Sequence, residues 1–554
     1  MPAAKATQRE KKNVLMLIGG TYHPFEACAA VAKQLLKGSG RYRLTVTDKR
    51  EALAKTLDKY DAVMLYTCGG AFTGAQQAGL SAFVRRGGGL VAIHSANAIG
   101  DQCAEYLALI GSQFDTHPRD HKFETVRIVD GTHQATARMK GFSLVEELYV
   151  LKNVRDDVRV LAETMWQSRP MPVMYTRTEG KGRVFYTALG HGAAQWKVSG
   201  FQRSLLHGLD WACRAKPVRR GPVRCAALGY GPSFNMGRLH CGFINGTAGL
   251  EAVAVCDIDP ARTKAAKEEV PGVRTYPDCD ALLRARGIDL VVVILPHHLH
   301  AEYAIRCLEA GKHVITEKPF CLTVKEADAM IRAAKANGVM ITAFHNRRWD
   351  GDFMTIRRLI EAGTIGEVFE INCGHSGYGP PRDWWRSDKE ISGGMLYDWG
   401  AHFTDWVLQL IPEKIASIQG FFHKKTWVQS TNEDHTQAIV RFANGAMADV
   451  TISSLAAAGR PRWRISGSKG AILDDGTVEK GCKVITYEDG SMVTREVKWI
   501  DTAWDEFYPN VADHLLLGDE LVIQPQQARR VIGVIEYAER SAKSGRPEVF
   551  PGEA

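Results

Sequence analysis

The stretch Val223-Arg-Cys-Ala-Ala-Leu-Gly-Tyr-Gly231 decides the fold of the larger, C-terminal part of this chain. Its apolar residues predict a buried strand of a parallel sheet, and its two glycines predict a tight turn into a helix. A third glycine, Gly237, lies three residues beyond the common Gly-x-Gly-x-x-Gly spacing, because Phe234 occupies the usual position. The stretch therefore predicts a strand, a lengthened glycine turn and a helix, in that order.

This turn predicts a dinucleotide site. Gly229 and Gly231 let the backbone approach a pyrophosphate closely, and the amides of the helix N-terminus carry its charge. Asp257 ends the next predicted strand, 20 residues after Gly237, where a carboxylate binds the ribose 2′-hydroxyl. We therefore expect NAD rather than NADP, although Arg262 leaves NADP open; the alternative is an ordinary strand-to-helix turn. The other turn residues expected to face the cofactor are Phe234, Asn235 and Met236.

Apolar runs of the same kind recur on both sides of this stretch. Before it they cover about residues 13–18, 61–66 and 89–93, and after it they cover 250–255 and 289–295. Helical stretches separate these runs. Strands that alternate with helices predict two successive α/β regions with doubly wound parallel sheets.

Beyond about residue 365 the pattern changes to short alternating strands, which predict a mostly antiparallel sheet in an α+β domain. One face of that sheet is expected to be solvated or to form an interface, and we expect a homo-oligomer through it. The predicted boundaries are a flexible tail (1–12), an α/β domain (13–215), a linker (216–222), a Rossmann NAD-binding domain (223–344) and an α+β substrate domain (345–554).

Composition excludes several classes of protein. The 554 residues carry a formal net charge of +8, spread along the chain, whereas nucleic-acid-binding faces are denser in charge. The twelve cysteines form no Cys-x-x-Cys pair, which predicts buried free thiols in a reducing compartment. No apolar run is long enough to cross a membrane. We expect a cytoplasmic enzyme with a small-molecule substrate and no nucleic-acid or membrane partner.

Three residues form the candidate catalytic set. Lys318 follows a predicted strand in Glu317-Lys-Pro319, at the edge of the sheet where such folds bind ligands. Asp398 and His402 are four residues apart in a predicted helix, so they share one face. A carboxylate beside a histidine can orient the ring as a general base. The alternative is a pair that only supports the helix.

From about Val223 to the end, the chain resembles the Gfo/Idh/MocA family of oxidoreductases. The matching stretches are Pro296-His-His-Leu-His300, Ala310-Gly-Lys-His-Val314, Glu317-Lys-Pro319, Asn346-Arg-Arg348, Gly393-Gly394 through His402, Phe442-Ala-Asn-Gly445, Ser466-Gly-Ser-Lys-Gly470 and Tyr508-Pro-Asn510. The resemblance implies hydride transfer between a ring carbinol and the nicotinamide, with the catalytic residues at Lys318, Asp398 and His402. The residues expected at the cofactor are Pro296, His300, Glu317 and Lys318. The residues expected at the substrate are Arg347, Trp384, Trp385, Arg386 and Tyr508. The three consecutive residues Trp384 to Arg386 suggest a sugar platform or, equally, a buried aromatic cluster.

The first 215 residues resemble the trehalose-utilisation (ThuA-like) family, which implies the fold of class I glutamine amidotransferases. The matching stretches are Gly87 to Ala96, Gly111-Ser-Gln-Phe114, His117-Pro118, Glu147-Leu-Tyr149, Gly180 to Tyr186 and Leu189-Gly-His191. Amidotransferases carry a cysteine nucleophile at a strand-to-helix elbow that here reads Ile93-His94-Ser95, so glutaminase chemistry is not expected. The residues expected to form a pocket are His23, His94, His117, Glu147, Tyr149 and His191. Metal ligation is one interpretation of the histidines, but ordinary pocket histidines are preferred, and no metal is predicted.

Together these features predict an NAD-dependent oxidoreductase that forms a keto-sugar, with the N-terminal module receiving or processing the product. Oxidation acidifies the neighbouring C–H, so an NAD-dependent glycosidase working by transient oxidation and elimination is one alternative. A non-catalytic sugar-sensing regulator is the other. The presence of Lys318, Asp398 and His402 argues against the regulator.

Overall fold

The computed structural model of the chain describes residues 11–118, 122–215 and 221–552. These residues form two compact units. One unit holds residues 11–215 with Asp513–Glu520, and the other holds the rest of the described chain. Most of the predicted tail (1–10) and most of the predicted linker (216–220) lie outside the described residues. No helix within the described ranges is long and apolar enough to cross a membrane.

The first unit is built on one large mixed sheet. Its strands are β1 (Lys12–Gly20), β2 (Tyr42–Thr47), β3 (Ala62–Cys68), β4 (Gly89–Ile93), β5 (Gln113–Thr116), β6 (Lys122–Ile128), β7 (Phe142–Glu147), β8 (Val150–Lys152), β9 (Arg159–Trp166), β10 (Arg169–Glu179) and β11 (Gly182–Thr187). Its helices are α1 (Phe25–Gly38), α2 (Gly74–Arg85), α3 (Ala104–Ile110), α4 (Ala193–Trp196) and α5 (Ser199–Ala212). The strand order is β2-β1-β3-β4-β11-β10-β9-β6-β7, and β5 pairs with β8 separately.

Half of this sheet follows the predicted parallel pattern and half does not. The strands β2, β1, β3, β4 and β11 are parallel, so their carboxyl ends lie at one edge. The cores of β1, β3 and β4 are fully buried, as expected for strands covered on both faces. Beyond β11 the sheet continues with antiparallel pairs, which the βα alternation did not predict.

The second unit begins with a wholly parallel sheet in the order β14-β13-β12-β15-β16-β17. Its strands are β12 (Val223–Leu228), β13 (Leu250–Cys256), β14 (Arg274–Tyr276), β15 (Leu290–Val293), β16 (His313–Thr316) and β17 (Ile341–Ala343). Its helices are α6 (Met236–Asn245), α7 (Pro260–Glu269), α8 (Cys279–Arg284), α9 (His300–Glu309) and α10 (Val324–Asn337). This arrangement confirms the predicted Rossmann-type fold.

The rest of the second unit carries the antiparallel-rich sheet that the sequence predicts. Its strands are β18 (Val368–Ser376), β19 (Ile415–His423), β20 (His435–Phe442), β21 (Met447–Ser453), β22 (Trp463–Gly467), β23 (Gly470–Asp474), β24 (Gly481–Glu488) and β25 (Ser491–Lys498). The order is β19-β20-β21-β18-β22-β23-β24-β25, and the β18–β21 pair is parallel. The helices are α11 (Gly351–Glu361), α12 (Lys389–Ser392), α13 (Ala401–Leu410), α14 (Phe507–Leu517) and α15 (Pro525–Ser544). The residues of α14 from Asp513 onward belong to the first unit. A π-helical turn, Leu396–Gly400, runs directly into α13.

Candidate active site

The glycine turn after β12 has the geometry of a dinucleotide-binding turn. Gly229 has φ +104°, and a Cβ there would lie 2.0 Å from the carbonyl oxygen of Ile294. A Cβ on Gly237 would lie 2.5 Å from the Tyr230 ring and 3.0 Å from the Gly229 oxygen, so this glycine allows α6 to pack closely on the turn. A Cβ on Gly231 would meet no protein atom within 4 Å. The backbone at Gly231 is therefore open to a ligand, as a pyrophosphate requires.

The three extra residues of the turn give it an unusual backbone. Phe234 and Asn235 have φ values of +59° and +51°, and Met236 then begins α6. The Phe234 side chain is 62% exposed, and its ring lies 5.5 Å from the ring of Trp384. The lengthened turn thus reaches an aromatic residue that lines the cleft described below.

Asp257 lies directly after β13, at the expected ribose position. Its carboxylate accepts hydrogen bonds from the backbone N–H of Tyr230 (2.6 Å) and of Asp259 (2.9 Å). Arg262 donates to the Tyr230 carbonyl at 2.7 Å. An acid and a cation therefore both flank this end of the turn.

Lys318 and Asp398 form an ion pair at the carboxyl end of β16. The Lys318 Nζ donates to Asp398 Oδ1 at 2.5 Å, and the Arg386 Nε lies 3.8 Å from the same oxygen. Burial works to raise the pKa of Asp398, but the Lys318 ammonium outweighs it and brings the pKa to about 2. The carboxylate is therefore ionised at neutral pH and holds the lysine in place.

His402 Nδ1 does not donate the expected hydrogen bond to Asp398. The carboxylate binds Lys318, because a charge-assisted hydrogen bond is stronger than one to a neutral ring. Burial, followed by the charges of Lys318 and Arg347, lowers the pKa of His402 well below its usual value. The ring is 5% exposed, and its Nδ1 has no hydrogen-bond partner among the described residues. The predicted hydrogen bond between Asp398 and His402 is therefore wrong.

A buried hydrogen-bond chain lies behind the lysine. The Tyr508 hydroxyl is 2.6 Å from His240 Nδ1, and His240 Nε2 donates to Glu317 Oε1 at 2.9 Å. The other Glu317 oxygen accepts from the backbone N–H of Lys318. Burial works to raise the pKa of Glu317, but His240 and then Lys318 bring it below the ordinary value. Tyr508 is fully buried, so the prediction that it contacts substrate is not supported; it supports Glu317 through His240.

The sequence interpretation overlooked His240, which lies three residues after Gly237. The available signal was a histidine on the buried face of a helix, where a polar ring requires a partner.

Pro296 lies three residues after β15 and His300 begins α9, but the ring of His300 faces the protein interior. Its Nδ1 is 2.7 Å from the Pro319 carbonyl oxygen, and its Nε2 is 2.8 Å from that of Leu295. With both nitrogens used and the ring fully buried, His300 ties the two loops together and leaves no atom for a cofactor.

A cleft of about 1320 Å³, partly open to solvent, adjoins the ion pair. Its lining includes Asp398, Trp384, Arg386, Trp399 and His375. The Arg386 guanidinium lies 4.8 Å from the centre of the Trp384 ring. Aromatic faces beside charged hydrogen-bonding groups suit a ligand with an apolar face and several hydroxyls, such as a sugar.

Trp385 and Arg347 have positions that differ from the expectation. Trp385 packs edge-on against the buried ring of His297 at 4.9 Å. Arg347 lies over Trp399 (4.6 Å) and lines a second cleft of about 910 Å³. Of the five side chains expected beside the substrate, Trp384 and Arg386 line the cleft at Asp398. Trp385, Arg347 and the buried Tyr508 lie elsewhere.

The first unit carries a second candidate site at the carboxyl edge of its parallel strands. His23 follows β1, His94 follows β4 and His191 follows β11. The ring of His23 lies 4.9 Å from those of both His94 and His191. Glu147 Oε2 is 3.2 Å from His191 Nδ1 and 3.6 Å from His94 Nε2. The predicted pocket residues therefore converge.

The remaining predicted members border this cluster. His117 Nδ1 lies 3.4 Å from Glu147 Oε1 and is 42% exposed. The Tyr149 ring is buried and packs 4.1 Å from the ring of His94. His94 itself has φ +48° at the strand-to-helix elbow, a left-handed conformation that is uncommon for a residue with a side chain.

The open glycine turn, the lysine–carboxylate pair and the aromatic cleft define a dinucleotide-dependent oxidoreductase. Residues 223–345 match the family described as "Oxidoreductase family, NAD-binding Rossmann fold", and residues 353–473 match the GFO/IDH/MocA C-terminal domain. Residues 13–212 match the family ThuA, "Trehalose utilisation". The chain thus carries a ThuA domain followed by the NAD-binding and C-terminal domains of Gfo/Idh/MocA oxidoreductases.

Several characterised proteins are similar to the C-terminal part. The scyllo-inositol 2-dehydrogenase (NADP(+)) IolW of Bacillus subtilis is 26% identical over 54% of this chain and 88% of its own length. The inositol 2-dehydrogenase of Rhizobium meliloti is 28% identical over 58% of this chain and 98% of its own length. The solved structure of an NAD-binding protein from Listeria innocua is 27% identical, with a TM-score of 0.52 over 60% of this chain and 98% of that one.

Proposed function

We propose that this protein oxidises a secondary carbinol of a sugar, polyol or glycoside with NAD and forms a keto-sugar. The observation that carries the proposal is the Lys318–Asp398 pair, which lies beside the cleft lined by Trp384 and Arg386. The similarity to dehydrogenases of inositols supports a ring carbinol as substrate.

The roles of the side chains follow from their charges. A bound nicotinamide dinucleotide supplies the hydride acceptor. Lys318, held by Asp398, donates a hydrogen bond to the carbinol oxygen and favours its developing negative charge. His402, neutral because of burial and the nearby lysine charge, accepts the hydroxyl proton. Asp398 keeps the lysine oriented and does not itself titrate near neutrality.

The cofactor preference rests on Asp257. A carboxylate at this position accepts a hydrogen bond from a ribose 2′-hydroxyl and repels a 2′-phosphate, which favours NAD. Arg262 of α7, which donates to the Tyr230 carbonyl at 2.7 Å, is a cation that could instead attract a 2′-phosphate, and the similar IolW is named as an NADP(+) enzyme. The preference for NAD therefore depends on the balance of these two side chains.

Incubation of the full chain with NAD and a panel of inositols, disaccharides and glycosides tests the proposal. Absorbance of reduced cofactor should rise as a product two mass units lighter than the substrate appears. Cleaved glycoside without net reduced cofactor would instead establish the glycosidase that works by transient oxidation and elimination. Sugar and cofactor binding without either product would establish the regulator.

The N-terminal module is proposed to receive or reshape the keto-sugar, by enolisation or hydrolysis. This proposal rests on the convergence of His23, His94, His191 and Glu147 at one sheet edge and on the fusion of both modules in one chain. In the full chain, Glu147→Gln should leave reduced cofactor formation unchanged and alter the final product found by mass spectrometry. An unchanged product would assign this module a structural role.

A homo-oligomer through the C-terminal sheet remains a prediction. Several large apolar side chains on its strands are exposed, among them Phe369, Phe421 and Tyr487. Light scattering after size exclusion should give a multiple of the 61.2 kDa chain mass, and Phe421→Asp should lower it. A monomer at micromolar concentration would contradict the prediction.

A further inference from the structure

The three histidines at the sheet edge of the first unit are arranged like metal ligands. One side-chain atom each from His23, His94 and His191 lies within 4.8 Å of the other two. Three nitrogens around a tetrahedral zinc, at bond lengths of about 2.0–2.1 Å, lie about 3.3 Å apart. Small side-chain movements would therefore bring all three to one ion.

His94 presents a lone pair to the centre of the cluster. Its Nδ1 lies 2.7 Å from the carbonyl oxygen of Ala188, which can only accept, so the proton is on Nδ1. The Nε2 therefore carries the lone pair, in a ring that is 0% exposed, and it has no hydrogen-bond partner among the described residues. A ligating histidine is oriented in this way, by a backbone carbonyl on its other nitrogen.

His23 adds a second buried nitrogen. Its Nδ1 is buried and has no hydrogen-bond partner within the described ranges. Its ring lies 4.9 Å from the rings of both His94 and His191, so this nitrogen belongs to the same cluster.

Buried polar atoms without partners cost free energy, and such sites need a ligand, a water or an ion to explain them. Two buried ring nitrogens without hydrogen-bond partners among the described residues, in a cluster beside an anionic side chain, fit a bound cation. Glu147, 3.2 Å from His191 and 3.6 Å from His94, supplies that negative charge.

We propose that His23, His94 and His191 bind one divalent transition-metal ion of the zinc type, with the Glu147 carboxylate as a further ligand or counter-charge. Imidazole suits zinc, copper, iron and nickel, whereas magnesium and calcium prefer oxygen ligands. This site reverses the sequence-based preference for ordinary pocket histidines. It is independent of the hydride-transfer site, and an open coordination position there would take a hydroxyl or carbonyl oxygen.

Metal content of the full-length protein tests the proposal directly. The purified chain is analysed by inductively coupled plasma mass spectrometry, stripped with a chelator, and titrated with zinc sulfate in a calorimeter. We expect about one zinc ion per chain and a higher melting temperature with zinc than without. Cobalt substitution should give the visible absorption bands of a nitrogen- and oxygen-ligated site.

Two variants assign the site. His94→Gln should abolish stoichiometric zinc uptake and the cobalt bands, while circular dichroism and NAD binding stay unchanged. His133→Gln is the matched control, because His133 is a buried histidine of the same unit outside the cluster, and it should retain one ion. Should His94→Gln fail to fold, His23→Gln takes its place. If the stripped wild-type chain takes up no zinc or cobalt stoichiometrically, or the cluster variants still take it up, the proposal is overturned.

Discussion

Two regions of this molecule use the same edge of a parallel sheet for different purposes. In the C-terminal unit, Lys318 follows β16 at this edge and pairs with Asp398 of the π-helical turn, and the open glycine turn follows β12. In the N-terminal unit this edge carries the rings of His23, His94 and His191, which lie beside the Glu147 carboxylate. Parallel strands place whatever follows them side by side, whichever residues those are.

The difference shows how composition at a common position selects the chemistry. A held ammonium stabilises charge that develops on a substrate oxygen, and the nearby backbone amides suit an anionic cofactor. Neutral rings with inward lone pairs attract a cation instead. The two proposals can therefore be separated by variants that affect one edge and leave the other unchanged.

The largest expected effect is that of Lys318→Met. Loss of the ammonium removes the hydrogen bond to the substrate oxygen, and turnover should fall by about 10³-fold, within the range for positioned acid–base groups. Steady-state rates with excess NAD measure it, and metal content should not change. Lys483→Met, on an ion pair of β24 with Asp475, is the control and should keep full activity. Loss of metal in Lys318→Met would contradict the proposal that the hydride-transfer site and the metal site are independent.

His402→Gln should lower turnover by about 10²-fold while NAD binding remains. In the wild type, the lowered pKa of His402 keeps the ring neutral as the pH falls. Oxidation needs the neutral ring, so the acid limb of kcat/KM against pH should lie below the ordinary histidine value of about 6.5. The limb is recorded between pH 4.5 and 8, under conditions where the protein stays folded. A limb at or above that value, or near-full turnover in the variant, would remove His402 from the proposed mechanism.

Two glycine variants distinguish a position left open for the cofactor from a position that is needed for helix packing. Gly231→Ala adds a methyl group where no protein atom lies within 4 Å, so it should leave stability unchanged and weaken NAD binding about tenfold. Gly237→Ala adds one 2.5 Å from the Tyr230 ring, so it should destabilise the fold by about 1–3 kcal/mol. Calorimetric NAD titration and thermal unfolding measure the two. Equal NAD affinity in Gly231→Ala and wild type would show that the cofactor does not approach this turn.

The smallest expected effect is that of Asp257→Ala, which should narrow the ratio of NADP to NAD dissociation constants about three- to tenfold. Asp259→Ala is the control, because its carboxylate caps α7 two residues away. Wild-type protein that binds NADP as tightly as NAD would contradict the assignment of Asp257.

Local patterns predicted most of the architecture. The apolar run and glycines from Val223 to Gly231 predict β12, its turn and α6, because each step depends on neighbours in sequence. The antiparallel strands from β18 onward follow from alternation. The antiparallel half of the first sheet, in the order β10-β9-β6-β7, was not predicted. Pairing between strands that are distant in sequence leaves little trace in the residues around each strand.

The sequence predicted where the candidate site residues lie in the fold better than it predicted their contacts. Lys318, Asp398 and the pocket histidines are where the sequence places them, at strand ends and on one helix. The partner of Asp398 was wrong, because a lysine 80 residues away in sequence offers a stronger hydrogen bond than the ring four residues on. The burial of Tyr508 and His300 likewise depends on packing among distant segments.

The π-helical turn Leu396–Gly400 makes the placement of Asp398 sensitive to the length of this segment as well as to its residues. A π-helical turn contains one residue more than a turn of α-helix. Deletion of one residue from it would therefore restore a regular α-helix. Asp398 would then rotate about 100° relative to α13, away from Lys318. We therefore expect that deletion of one residue from this turn would break the ion pair without any substitution of Lys318 or Asp398.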